Sequence, residues 1–231
     1  MEFVSSSANS RGRLAEAQLS RASLWLRKCS CSSASSHGKR RHPTKLITRN
    51  VSDITRLLSA IDFAAYRHRK QVRKGTEGVP YVSHPVAVAE LIARVGRVTD
   101  IVTLLAAILH DTIEDTETTA DEIVAQFGAE VRDVVLELTD DKNLPKEERK
   151  RLQIVHAADS SRRAKIVKLG DKIVNVSDVT RDPPAGWDVA RRREYLDWSE
   201  KVIAGCRGVN TALERRFDEV VREGREVLGR G

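Results

Sequence analysis

Residues 101–116 read IVTLLAAILHDTIEDT. Behind a capping residue, Asp100, comes a run that is apolar but for Thr103. It passes directly into His110-Asp111 and then Glu114-Asp115. No two-residue alternation interrupts the run, so it predicts a buried helix through Leu109 and not a strand. Residues three or four apart share a helix face, which sets His110 above Glu114, and Asp111 above both Glu114 and Asp115. Three carboxylates and an imidazole crowded at the end of a buried helix repel one another unless a cation or protons neutralise them. That donor set suits a divalent ion such as Mn2+, with Zn2+ or Fe as alternatives. The plainer alternative is a pair of solvated loop acids beside a hydrogen-bonded core histidine.

Working outward, the period stays helical. Ile54, Leu57, Leu58, Ile61 and Ala65 recur at helical spacing behind an N-cap at Ser52 or Asp53. His84-Pro85 precedes a helix over 86–95, since proline suits a first helical turn. Thr119 opens a helix that Gly128 ends, and 129–138 follows. Pro145 begins one through His156, and Ser160 or Ser161 begins another to about Val179. Residues 188–205 and 210–228 close the chain. A short extended piece at 79–82 is the only strand-like feature. The expected fold class is all-α, a bundle of roughly eight to ten helices around one core.

The 231 residues, 40% apolar and 32% charged, suit one globular domain with an appendage. Three Trp, three Tyr and four Phe are few, so Leu, Ile, Val and Ala must build the core. The longest nearly apolar run, 101–109, is far short of the ~20 residues of a membrane span. Cys29, Cys31 and Cys206 can form neither a disulfide framework nor a four-thiolate zinc site. A reducing compartment, the cytoplasm, is therefore expected. The net charge of +7 is uneven: residues 1–50 hold ten Lys/Arg against Glu2 and Glu16. The remainder keeps 30 of the 40 basic and 31 of the 33 acidic groups, which is nearly neutral. The folded part thus has no global electrostatic preference for nucleic acid.

Residues 1–50 are read as a Ser/Arg-rich extension and 51–231 as the domain. The extension is poor in acids, with one helical-looking piece at 14–26. Such segments resemble organellar transit peptides, which would place the protein in a mitochondrial or other organelle matrix. The plainer readings are a disordered tail or residues upstream of the true start.

Further chemistry-bearing residues lie elsewhere. His84 sits in RKGTEGVPYVSHP (73–85). Asp171, Asn175 and Asp178 recur at i, i+4 and i+7 in KIVKLGDKIVNVSDV (165–179), a polar stripe on an otherwise buried helix. A buried carboxylate there needs a partner, either a metal or Lys172 or Lys168. His68, in YRHRK, is set aside as a ligand because its basic neighbours disfavour a cation, and a solvated surface position is expected.

Taken together these segments resemble the HD superfamily of phosphohydrolases, whose metal signature is His…His-Asp…Asp. More narrowly, the chain resembles the hydrolase domain of the RelA/SpoT family, and most of all its stand-alone small alarmone hydrolases. RKGTEGVPYVSHP, AAILHDTIEDT, LTDDKNLPKEERKRLQ (138–153), KLGDKIVNVSDV and GWDVARRREYLDW (186–198) carry the likeness in family order. They span about residues 53–228.

The resemblance implies metal ligands at His84, His110, Asp111 and Asp171, with Mn2+ the usual ion. It implies a catalytic acidic pair at Glu114 and Asp115 beside the metal. Substrate contacts would fall to Arg73, Lys74, Lys146, Asn175, Arg191 and Tyr195. The implied reaction is hydrolysis of guanosine 3′,5′-bis(diphosphate), or its pentaphosphate form, to GDP or GTP plus pyrophosphate. A guanidinium such as Arg73 can stack on a purine, while Lys74, Lys146 and Arg191 can neutralise phosphates. The oligomeric state stays open. The chain is too short for the synthetase and regulatory domains of long family members, so a hydrolase-only protein is expected. Rival readings are removal of the 2′-phosphate of NADPH in the same site, or a silent nucleotide-binding module. Ser83 stands where the family has Asn, and Gly170 where it has Ala. A glycine inside a helix costs ~1 kcal/mol relative to Ala, and is expected to loosen the Asp171 position.

Overall fold

The computed structural model describes residues 44–75 and 78–229. The expectations for the extension up to residue 43, including the piece at 14–26, lie outside the described residues. Among the described residues the chain is helical throughout: α1 (Thr44–Arg67), α2 (Ser83–Arg94), α3 (Ile101–Leu109), α4 (Thr112–Asp115), α5 (Ala120–Phe127), α6 (Ala129–Leu138), α7 (Lys146–Ala157), α8 (Arg162–Arg181), α9 (Val189–Ala204) and α10 (Thr211–Gly229). The extended piece expected at 79–82 reduces to one isolated bridge between Val72 and Pro80. Among the described residues no helix is long and apolar enough to cross a membrane.

Local chemistry explains most boundaries. Asp100 accepts from the backbone N–H of Thr103 and opens α3, as Ser161 does from Ala164 for α8 and Asp188 from Arg191 for α9. Thr119 and Glu122 form a reciprocal capping box at the start of α5. Gly128, at φ +95°, occupies a backbone conformation that side chains disfavour, which lets α5 turn into α6 within one residue.

One expectation needs correction: the first helix begins at Thr44, so Ser52 and Asp53 lie within it and cap nothing. Helix α3 ends at Leu109 as expected, and α4 is a separate turn. The Thr112 hydroxyl donates to the Leu109 carbonyl at 2.6 Å, which helps end the first helix and redirect the chain.

Helix α3 forms the centre of the molecule, with Val102, Thr103 and residues 105–109 all buried. Helix α8 packs against α2, α3, α6, α9 and α10, and α1 covers α3. The α2–α8 contact is unusually close at Gly170. A methyl added there would lie 2.7 Å from Ile92 Cγ1 and 3.2 Å from Val88 Cγ1. Gly170 therefore has a packing role at this contact. It permits close approach of the helix carrying Asp171 to the helix carrying His84.

Candidate metal centre

His84 lies in the first turn of α2, His110 and Asp111 follow α3, and Asp171 is mid-way along α8. Folding brings all four together. His84 Nε2 is 3.1 Å from Asp171 Oδ1 and 3.9 Å from Asp111 Oδ2. His110 Nε2 is 3.1 Å from Asp111 Oδ2 and 3.7 Å from Asp171 Oδ1. Ligand atoms of His84, His110 and Asp111 all lie within 4.8 Å of one another, a spacing that could hold one ion.

The hydrogen bonding points to a cation. His110 Nδ1 lies 2.8 Å from the Ala107 carbonyl oxygen, which only accepts, so Nδ1 carries the proton. In the neutral ring Nε2 then presents its lone pair to two carboxylate oxygens, and this buried atom has no hydrogen-bond partner. Lone pair against lone pair is repulsive until a cation or proton lies between them. Protonation is the metal-free answer. Burial alone would push the His110 imidazole down, but Asp111 and Asp171 outweigh it and hold the imidazole well above its ordinary value. Both carboxyls are held well below theirs against burial, Asp111 chiefly by His110 and Asp171 chiefly by Lys172. Two imidazoles and two carboxylates fit a divalent ion.

Two further residues support this cluster: Tyr81, not singled out from the sequence, and Lys172, which was named there as a possible partner of Asp171. The Tyr81 hydroxyl donates to Asp111 Oδ2. Lys172 Nζ lies 2.9 Å from Asp171 Oδ2, buried with its ammonium 4.6 Å from the Trp198 ring centre. Asn175 Nδ2 donates to Asp171 Oδ1 at 2.6 Å. Tyr81 stands three residues before His84, a helical spacing that could have flagged it, and Lys172 adjoins Asp171.

The acidic pair makes contacts of its own. Glu114 Oε2 accepts from the backbone N–H of Asp140 at 3.0 Å, and burial raises its carboxyl above the ordinary value. Asp115 pairs with Lys142, and its carbonyl accepts from Gln71 at 2.6 Å. His110 and Glu114 lie on either side of the break after Leu109, so the shared face of a single helix does not describe them.

Of the expected substrate residues, Arg73 pairs with Asp178 and lies 3.3 Å from His84 Nδ1. Lys74, Lys146 and Arg191 are exposed, and the Arg191 guanidinium stacks 4.5 Å from the Trp187 ring centre. Tyr195 packs between Trp187 and Trp198, with burial pushing its hydroxyl up to about 12. His68 is buried, against expectation. Its Nδ1 lies 2.7 Å from Gln71 Oε1 and its ring 4.8 Å from that of Tyr81.

Residues 60–197 match the HD-domain family. The chain belongs to that family. Within it the similarity is to the small alarmone hydrolases. Guanosine-3′,5′-bis(diphosphate) 3′-pyrophosphohydrolase MESH1 of Mus musculus is 49% identical over 172 residues, covering 74% of this chain and 96% of its own. A solved structure of a metazoan SpoT orthologue, described as hydrolysing ppGpp, superposes with TM-score 0.71 at 42% identity, covering 73% of this chain and 94% of that one. The guanosine-3′,5′-bis(diphosphate) 3′-pyrophosphohydrolase of Aquifex aeolicus (strain VF5) is 36% identical over 137 residues, 57% of this chain but only 19% of that longer protein.

Proposed function

We infer that this protein is a metal-dependent hydrolase of guanosine 3′,5′-bis(diphosphate) and its pentaphosphate form, releasing pyrophosphate from the 3′ position. The observation that carries the reading is the His110 imidazole. Its proton is committed to Ala107, and its free nitrogen faces Asp111 and Asp171 with no hydrogen-bond partner. In this reading residues 51–231 are the catalytic domain, in the cytoplasm unless the N-terminal segment directs it to an organelle matrix.

His84, His110, Asp111 and Asp171 would hold the ion, taken to be Mn2+. When bound, such an ion makes water more acidic and polarises a phosphoryl oxygen. Glu114 or Asp115 accepts the proton of the attacking water as general base. Water adds to the phosphorus bonded to the ribose 3′ oxygen, that P–O bond breaks, and the 3′ oxygen leaves with a proton. Lys74, Lys146 and Arg191 neutralise the phosphates, and Arg73 faces the purine, with Asn175 and Tyr195 completing the substrate contacts. Such a polyanion gives the exposed cations their partner.

The test is turnover of both guanosine nucleotides and of NADPH by the purified full chain, with and without Mn2+, with pyrophosphate and orthophosphate measured separately. Pyrophosphate release that requires the ion is expected. Orthophosphate from NADPH without pyrophosphate from the guanosine nucleotides would assign the site to the rival phosphatase. Nucleotide binding with no turnover would make it a silent module.

A further inference from the structure

The residues after α6 close over the acidic pair. Asp140 donates its backbone N–H to Glu114 Oε2 at 3.0 Å. Lys142 pairs with Asp115. Gln153 Nε2, on α7, donates to Asp140 Oδ2 at 2.6 Å and ties the loop to that helix. From the same helix Arg149 points at the remaining oxygen, with Nη1 3.6 Å from Glu114 Oε1. Both side chains are mostly buried, at 27% and 17% exposure for Arg149 and Glu114. Arg149 Nε is buried with no hydrogen-bond partner, and Glu114 is its one acidic partner among the described residues.

A sequestered guanidinium with one carboxylate to face is a costly arrangement for a helix that needs only to pack. A charge on a peripheral helix gains nothing from such burial unless it acts on something. What it faces is one of the two carboxylates assigned the proton transfer. Each oxygen of an ionised carboxylate has two lone-pair directions. A backbone N–H on one oxygen and a cation beside the other therefore limit how the carboxylate can turn.

We propose that Arg149 is a positioning residue that acts through Glu114, orienting its carboxylate for the attacking water without touching substrate or metal. This rests on the hydrolase reading above and deepens it. A general base displaced by about 1 Å can cost about a hundredfold in rate, so loss of Arg149 should appear in kcat alone.

The test compares kcat, KM for guanosine 3′,5′-bis(diphosphate) and bound Mn2+ in the wild type, R149M, R149K, E114Q and the E114Q/R149M double variant. Circular dichroism and thermal melts normalise each rate to folded protein. R149M is expected to lose about ten- to a hundredfold in kcat, with KM and Mn2+ content unchanged. R149K should recover part of that loss. In the E114Q background R149M should cause no further fall, because the two act as one unit. Independent, multiplying losses would overturn the proposal, as would a rise in KM in place of the fall in kcat, which would make Arg149 a phosphate contact. A wild-type rate in E114Q would overturn it too, while leaving the hydrolase reading intact. No turnover by the wild type would remove both.

Discussion

The site has an inner ring and an outer rim, and the two are built on opposite terms. In the ring, His84, His110, Asp111 and Asp171 have side chains no more than 19% exposed. Ala107, Tyr81, Asn175 and Lys172 hold three of the four groups through hydrogen bonds. On the rim, Lys74, Lys146 and Arg191 are exposed cations that stand near one another with no ion pair of their own among the described residues. The ring is set by folding, because its repulsions are buried and answered by neighbours. The rim is left to its ligand, since solvated charges tolerate like neighbours at little cost. Substitutions in the ring should therefore act on whether the centre exists, and those on the rim on how well it is used.

The largest effect is expected at the ring. His110→Ala or Asp111→Ala should abolish both bound Mn2+ and turnover, read by metal analysis of the purified protein and by pyrophosphate release. Normal turnover in a variant shown to be metal-free would break the comparison, for the ring would then be only a buried polar cluster.

A smaller effect is expected where the ring meets the core. Gly170→Ala gains ~1 kcal/mol of helix propensity. It also drives a methyl to 2.7 Å from Ile92 Cγ1, on a side chain that is fully buried. Overpacking of this kind costs about 1–3 kcal/mol, so a net loss of stability of about 1 kcal/mol is expected by denaturant unfolding in EDTA. Ile92→Ala alone destabilises, but in that background Gly170→Ala should cost less than in the wild type or stabilise, because the methyl then has room. Affinity for Mn2+ should fall as well, because the same contact sets how close Asp171 comes to His84. A stability gain equal to the full propensity term would show the contact to be looser than the coordinates give.

These residues also show what the sequence could and could not reveal. Helix starts at Asp100, Thr119, Ser161 and Asp188 were legible because a cap is local chemistry, written within four residues. The same logic misled at Ser52 and Asp53, which are cap-type residues inside a longer helix. His68 was read as solvated from its basic neighbours, yet after α1 ends the chain turns its ring against Tyr81. The end of α3 at Leu109 was legible where the apolar run stops, but the separate turn at 112–115 was not, because it rests on contacts such as the Thr112 hydroxyl on the Leu109 carbonyl. The pairs His84–Asp171 and Arg149–Glu114 join residues far apart in the chain, and no spacing rule reaches that far. For the ring, the family resemblance supplied the pairing; for Arg149 nothing did.

The smallest effect is expected on the rim, and it carries the opposite signature. Partial desolvation, together with the positive charges of Lys150, Arg191 and Lys74, pushes the Lys146 ammonium below its ordinary value, only partly offset by Glu147. Without substrate these cations repel one another, so Lys146→Ala should leave the melting temperature unchanged or slightly raised. With substrate a charge-assisted contact is lost, and a tenfold rise in KM corresponds to about 1.4 kcal/mol. kcat and Mn2+ content should stay near wild type. Raising salt should narrow the difference between variant and wild type, because a contact between exposed charges is screened. A Lys146→Ala protein that melts earlier, or that loses Mn2+, would place this residue with the ring and erase the boundary between what folding builds and what the ligand completes.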